Sequence, residues 1–166
     1  RHLLMQFKHS LTPTNLEDLQ AQGLKVLSAV SGSVYWVAIE PGSVASQDVH
    51  QAAGNLVIRS AGLLPTQYKI AKAIDDNDFP NHTRYEDGTV TVHVTVFEDV
   101  SPAQTKQVLA RLESVRVLEW MAPRVLVVRT PPAVIYQLAD ADQVKWVEPV
   151  PPLTEANNAT AAMRIK

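Results

Sequence analysis

The chain carries the same order of apolar and turn-forming segments twice, in residues 2–64 and again in residues 89–150. An internal repeat constrains a fold strongly, because each copy is expected to form one supersecondary unit of the same design. In each copy a strand pattern precedes a helix pattern, and two further strands, a second helix and a closing strand follow. We therefore expect the order β-α-β-β-α-β in both halves of the chain.

In the first copy, the apolar run 3–7 predicts a strand that leads into a helix beginning near Pro13. Proline suits the first turn of a helix, and Thr14 with Glu17 fits the spacing of a capping box. Gly23 is the expected end of this helix. The remaining predicted elements are two hairpin strands, a short helix and a last strand, at 24–30, 34–39, 44–53 and 56–60.

The second copy begins with the clearest strand pattern of the chain, in which valine alternates with threonine or histidine over residues 89–96. This alternation places the valines on one face of a strand. The pair Ser101-Pro102 then repeats the helix start Thr12-Pro13 of the first copy. The other predicted elements are two hairpin strands, a short helix and a closing strand, at 115–120, 125–128, 131–138 and 144–147.

Two helices over one face of a four-stranded antiparallel sheet give an α+β fold, and this element order is that of the ferredoxin-like sandwich. The sequence therefore predicts two tandem ferredoxin-like (βαββαβ) units, at residues 1–65 and 89–150. The polar stretch 66–88 lacks a sustained periodicity and is interpreted as a linker, and residues 151–166 are interpreted as an extended tail. Units of about 60 residues are only marginally stable by themselves.

Charge and composition restrict the classes of partner. The formal net charge is −2 and the basic residues are scattered, which argues against nucleic acid as a partner. No apolar run approaches the roughly twenty residues that cross a bilayer, so we expect no membrane partner. The absence of cysteine excludes disulfides, thiolate metal sites and thiol catalysis.

The sequence contains no recognisable catalytic or metal-binding motif, so we expect no catalytic residues, no metal and no cofactor. The five histidines lie outside ligand-spaced clusters and are expected at the surface. The acidic run 75–78 lacks the ligand spacing of a calcium loop. Trp36, Trp120 and Trp146 fall in or beside predicted strands, where packing in a core or an interface is expected.

One histidine has a defined position in the predicted sheet. His93 shares its strand face with Thr91 and Thr95, opposite the valines, and so is expected on the open side of the sheet. A histidine at such a position can respond to pH where a partner covers the face.

The last predicted helix and strand carry a more specific pattern. Residues 138–148 read Leu-Ala-Asp-Ala-Asp-Gln-Val-Lys-Trp-Val-Glu, and Pro149, Pro151 and Pro152 follow. This run resembles the end of the propeptide of secreted subtilisin-like serine proteases, in which a pattern L-A-x-x-x-x-V-x-W-V-E closes the last helix and strand. The doubled arrangement is similar to the long propeptides of some large bacterial members of that family.

The resemblance implies a non-catalytic prodomain that acts as intramolecular chaperone and temporary inhibitor of its cognate subtilisin-like catalytic domain. In that family the open sheet face, here Thr91, His93 and Thr95, packs on two surface helices of the protease. The tail lies in the active-site cleft like a product, and such extended binding relies on main-chain hydrogen bonds. The parent precursor would be a serine endopeptidase whose catalytic residues lie outside this chain.

The same resemblance assigns the tail residues. With cleavage between Ala156 and Asn157, Leu153 would occupy the apolar fourth subsite and Ala156 the primary subsite, with Thr154 and Glu155 between them. Alanine departs from the larger residue that the family often presents at the primary subsite. The prolines before the tail hold it out of a helix and lower its unbound entropy.

The resemblance also implies a secreted bacterial protein from which a signal peptide has been removed, and residues 157–166 would begin the following region. Two other classes of function remain open. Tandem ferredoxin-like units also serve as ligand-sensing or protein-interaction modules, and a sensor requires a ligand pocket between its units. A small enzyme on the same fold would require a clustered polar site, for which the sequence offers no candidate.

Overall fold

The computed structural model describes residues 1–152, which form two four-stranded antiparallel sheets, each packed with helices. The protein is therefore of mixed α/β class, with one sheet in each half of the chain. The expected duplication of the element order is confirmed by these two sheets.

The first unit (residues 2–62) follows the predicted order, with its second helix divided into two. Its strands are β1 His2–Phe7, β2 Leu24–Ser31, β3 Val34–Ile39 and β4 Ile58–Gly62. Its helices are α1 Pro13–Ala21, α2 Val44–Gln47 and α3 Val49–Ala52. The strand order is β2-β3-β1-β4, so that β1 lies in the interior of the sheet between β3 and β4.

The second unit (residues 90–149) repeats this plan after a short helix in the connecting segment, α4 Lys72–Asp75. Its elements are β5 Val90–Val96, α5 Pro102–Leu109, β6 Arg116–Ala122, β7 Val125–Thr130, α6 Ile135–Asp140 and β8 Val144–Pro149. The strand order is β6-β7-β5-β8, the arrangement of the first sheet.

Each sheet has a hydrophobic core of its own. The alternation over 89–96 acts as predicted, because every valine of β5 is buried in the second core, beside Leu126, Leu138 and Val147. In the first unit, alternate residues of β1 are buried against helices and neighbouring strands, namely Leu3, Met5 and Phe7. The two sets of buried residues have no member in common.

The capping box of helix α1 lies two positions earlier than predicted. Thr12 is the N-cap, since its side chain accepts a hydrogen bond from the Asn15 backbone N–H, while the Asn15 side chain accepts one from the Thr12 backbone N–H. The predicted pair of Thr14 and Glu17 is therefore wrong. Pro13 occupies the first helical turn as expected, because its missing N–H is not needed there.

The predicted helix at 44–53 is interrupted at Asp48. The Asp48 backbone is extended, and its carboxylate accepts hydrogen bonds from the backbone N–H groups of His50 and Gln51. A short acidic side chain that captures backbone donors in this way ends one helix and caps the next. The closing strand also begins later than predicted, at Ile58, because Leu56 N–H bonds to the Ala53 carbonyl in the turn after α3.

The segment 66–88 connects the sheets and also contributes to the second core. Ile70, Ile74 and Phe79 are buried within that core. Ile70 forms a parallel bridge to Val147 of β8, and the Ala71 backbone N–H donates to the Val147 carbonyl at 2.8 Å. Three apolar side chains in a mostly polar stretch are therefore enough to fold this connection against the second unit.

Candidate functional site

The predicted cleft-binding tail and scissile bond, Leu153, Thr154, Glu155, Ala156 and Asn157, lie outside the residues that the structure describes. The start of the tail is described. β8 ends at Pro149, and Val150 extends it by one weak bond from its backbone N–H to the Thr91 carbonyl at 3.5 Å. Pro151 and Pro152, which follow, have no helical or strand conformation.

His82 holds the point at which the chain leaves the second sheet. Its Nε2 lies 2.8 Å from the Val150 carbonyl oxygen, which accepts the hydrogen bond from the ring. The neighbouring Thr83 is fully buried, and its carbonyl accepts a bond from the Thr91 hydroxyl at 3.3 Å. Phe79 anchors the segment that carries His82 in the second core. Val150 is therefore held by β5 through its N–H and by the connecting segment through its carbonyl.

The three predicted docking residues of β5 are less accessible than an open sheet face suggests. Thr91 and His93 are buried, and only Thr95 is partly exposed. His93 pairs across the sheet with Val127 of β7 and Glu148 of β8, whose side chains are half-buried. Part of this face is covered by the connecting segment, because the Thr91 hydroxyl donates to the Thr83 carbonyl.

Two of the histidines contradict the expectation of surface positions. His2 and His93 are 7% and 8% exposed. His93 Nε2 is buried without a hydrogen-bond partner among the described residues. A buried polar atom in this condition is unfavourable until a partner supplies a hydrogen bond or water reaches it.

The two units meet through an aromatic cluster that contains Phe97, the residue after β5. Phe97 is completely buried, yet it lies outside the core of its own unit. The His2 ring stacks on it with centroids 4.1 Å apart and planes 5° apart. The Trp36 ring meets it edge-to-face with centroids 5.0 Å apart. Trp36 thus packs in an interface, one of the two environments expected for the tryptophans.

His2 also joins two carboxylates of the second unit. Its Nδ1 lies 3.0 Å from Asp142 Oδ2, and its Nε2 lies 3.0 Å from Asp99 Oδ1. The His2 backbone N–H donates to the other oxygen of Asp142 at 2.8 Å. The interface thus fixes three polar atoms of one residue.

The protonation of this cluster follows from its contacts. Burial lowers the pKa of His2, but the hydrogen bonds to Asp142 and Asp99 outweigh burial and raise this pKa above its ordinary value of 6.5. Burial likewise acts against the charged form of Asp142, yet the hydrogen bonds from His2 hold the pKa of this carboxyl well below its ordinary value of 3.8. The contact therefore favours the charged form of both residues.

A second ion pair lies beside the aromatic cluster. Lys145 Nζ is 2.7 Å from Glu98 Oε1 and 3.3 Å from the Ser28 hydroxyl of the first unit. Burial raises the pKa of Glu98, but the hydrogen bond from Lys145 acts in the opposite direction, and the net result is a pKa below its ordinary value of 4.5. Lys145 thus connects its own strand to β2 across the interface.

No part of this interface was predicted from the sequence except the general role of Trp36. His2 lies 97 positions from Asp99 and 140 positions from Asp142. No spacing rule connects residues at such distances. The one available signal was a histidine at the start of a mostly apolar strand.

The interface does not offer a metal site. Within residues 1–152, no group of three or more histidine, aspartate or glutamate side chains could hold a metal ion. The contacts explain why, since both nitrogens of His2 already face carboxylate oxygens. In the same part of the chain, no helix is long and apolar enough to cross a membrane.

No protein-family model matches the chain, and no curated protein matches it significantly.

Proposed function

We propose that this chain is the propeptide of a subtilisin-like serine protease, and that it acts as an intramolecular chaperone and temporary inhibitor. The observation that carries the proposal is the exit of the chain from the second sheet. An edge strand, β8, ends at Pro149, and Val150 and two prolines continue the chain towards Leu153 without forming a helix. His82 holds the Val150 carbonyl, so the segment that would enter a protease cleft begins from a fixed position.

The proposal includes a ferredoxin-like fold for each unit. It is supported by the element order, β-α-β-β-α-β in both units when α2 and α3 are counted as one interrupted helix. It is also supported by the strand order, in which the first strand lies between the third and the fourth in each sheet. The helices bury one face of each sheet, as in a ferredoxin-like sandwich.

The docking face would be the side of the second sheet that carries Thr91, His93 and Thr95. His93 Nε2 supports this choice, because a partner could supply the hydrogen bond that the atom lacks among the described residues. Glu148 lies beside it, where its carboxylate accepts a hydrogen bond from Trp146 Nε1 at 3.2 Å. A protease that covered this face would remove further polar and apolar surface from water.

As chaperone, the chain would bind the folded catalytic domain and not its unfolded form, which stabilises the folded domain by mass action. As inhibitor, it would present its tail as an extended strand whose main-chain groups bond to the cleft. The prolines reduce the entropy that the tail loses on binding. No catalytic residue is assigned to the chain itself, and its expected location is extracellular.

The proposal is tested by inhibition of a subtilisin-type protease with the full chain and two variants, Leu153→Asp and a truncation after Val150. We expect tight inhibition by the full chain and a loss of at least about 100-fold in both variants, because a charge in an apolar subsite or loss of the tail removes most cleft contacts. Val30→Asp is the matched control, since Val30 is exposed in β2 of the first unit, outside the docking face. Equal inhibition by all four proteins would contradict cleft insertion.

A tandem ligand-sensing or protein-interaction module is the second candidate. It is favoured by a cavity at the junction of the connecting segment and the second unit, which Leu63, Leu64, Lys69, Asp140 and Asp142 line together with Arg1 and Thr66. Lys69 is buried there, and burial lowers the pKa of its ammonium group. A complete lack of protease inhibition by the folded chain would favour this candidate.

A further inference from the structure

We propose that His2 holds the first unit on the second in its protonated, imidazolium form, and that the two units separate when its ring loses this proton. The proposal concerns the contact between the units and is independent of the proposed function. It assigns a docking surface to the second unit, made of Phe97, Asp99 and Asp142.

The geometry requires both ring nitrogens to carry hydrogen. Nδ1 faces Asp142 at 3.0 Å and Nε2 faces Asp99 at 3.0 Å. An ionised carboxylate only accepts hydrogen bonds, and a neutral imidazole carries one N–H, so a neutral ring would leave one nitrogen lone pair against a carboxylate oxygen. Only the imidazolium satisfies both contacts, and such charge-assisted bonds are stronger than neutral ones.

The surroundings make this contact sensitive to the proton. His2 is 7% exposed and lies flat on Phe97, so water cannot replace a lost partner without opening the interface. A cation stacked on an aromatic ring gains from the negative face of the ring, and this gain also disappears with the charge. Loss of one proton therefore weakens both hydrogen bonds and the stacking together.

Other charged groups around the cluster leave this conclusion unchanged. Glu98 and Lys145 form their own ion pair at 2.7 Å. Lys69 faces Asp142 and Asp140, and the Arg1 backbone nitrogen lies 3.6 Å from Asp142 Oδ2. Positive groups near Asp142 favour its ionised form, which is the form that accepts from His2.

The sign of the pH dependence follows from the direction of the shift. The folded-state pKa of His2 is above its ordinary value of 6.5, so its stabilisation is full below pH 6.5 and is lost as pH rises through the raised pKa. The pKa of Asp142 is below 3.8, so its stabilisation is present above that pH and is lost in stronger acid. Docking is therefore strongest in the mildly acidic range.

Each unit has its own core, so the chain can open without unfolding either sheet. Full-length wild-type protein is compared with His2→Gln and with His50→Gln, a matched change at an exposed histidine of α3. The three proteins are followed from pH 5 to pH 9 by thermal unfolding and small-angle X-ray scattering, and the His2 ring is followed by nitrogen NMR.

We expect the wild-type melting temperature to fall by about 3 °C for each pH unit across the His2 titration, and the radius of gyration to rise with it. His50→Gln follows the wild type. His2→Gln shows the larger radius at pH 5 and lacks this pH dependence. A neutral His2 ring at pH 6 in the wild type, or the full pH dependence in His2→Gln, would overturn the proposal. The NMR measurement uses the wild-type protein and therefore tests the proposal even if His2→Gln fails to fold.

Discussion

Gly23, which joins α1 to β2, occupies a position that other residues fill poorly. Its φ is +86°, in the left-handed region that favours glycine. A Cβ built at this position would collide with the Cβ and Oγ of Ser43. Ser43 caps α2, and its hydroxyl donates to the Glu40 carbonyl at 2.6 Å, so it cannot move without loosening that turn.

Gly23→Ala is expected to lower the free energy of unfolding by about 2–4 kcal/mol, because backbone strain and a steric clash add together. Gly54→Ala is the control. Gly54 also has a positive φ, but a Cβ there would meet open space, so only the strain of about 1 kcal/mol applies. Urea unfolding measures both, and equal losses would contradict the role given to Ser43.

The connecting segment shows how a few apolar residues give structure to a polar stretch. Phe79 lies in the second core, and the Arg84 guanidinium donates to its carbonyl at 2.8 Å. Tyr136 of α6 donates to Asp75 at the end of α4, which ties the segment to the helical layer as well. The segment therefore belongs structurally to the second unit, although it reads as a linker.

Phe79→Ala is expected to lower the free energy of unfolding by about 3–5 kcal/mol, because it removes a buried ring and leaves a cavity. Tyr68→Ala, which truncates a largely exposed aromatic ring in the same segment, should change it by less than about 0.5 kcal/mol. Chemical unfolding of both variants tests this. Similar values would show that the segment packs only loosely on the core.

Among the described residues, the two small cores are joined by an aromatic cluster around Phe97 and by the polar contacts beside it. Units of this size have only a small stability of their own, and the contact between them adds to it. Phe97 belongs to the second unit by sequence, but it is enclosed by His2 and Trp36 of the first. Coupling between the units should therefore depend on this residue more than on either core.

Phe97→Ala is expected to divide a single unfolding transition into two. The substitution removes the ring that contacts both His2 and Trp36, and Phe97 belongs to neither core, so each core stays intact. Calorimetry gives the measurement, since the calorimetric and van't Hoff enthalpies agree only for a single cooperative transition. Leu118→Ala, at an exposed position of β6, should leave the wild-type transition intact. A single transition in Phe97→Ala would show that the units are coupled elsewhere.

Local patterns predicted most of the elements, for local reasons. The alternation in β5 settles which side chains face the core, because a strand has a period of two residues. Pro13 and Pro102 marked helix starts in both units, since proline suits only the first turn. Asp48 escaped prediction because a single side chain that captures two backbone donors interrupts a helix without changing its apolar pattern.

The interface between the units could not be read in the same way. His2, Phe97 and Asp142 carry no local signal that they meet, and their contact depends on how two separately folded sheets pack. The burial of Thr91 has a similar origin, because its hydroxyl donates to the Thr83 carbonyl of the connecting segment. Periodicity is a property of neighbouring residues, and so it established the two units, whereas their docking and the charge on His2 arise from contacts that only the folded chain brings together.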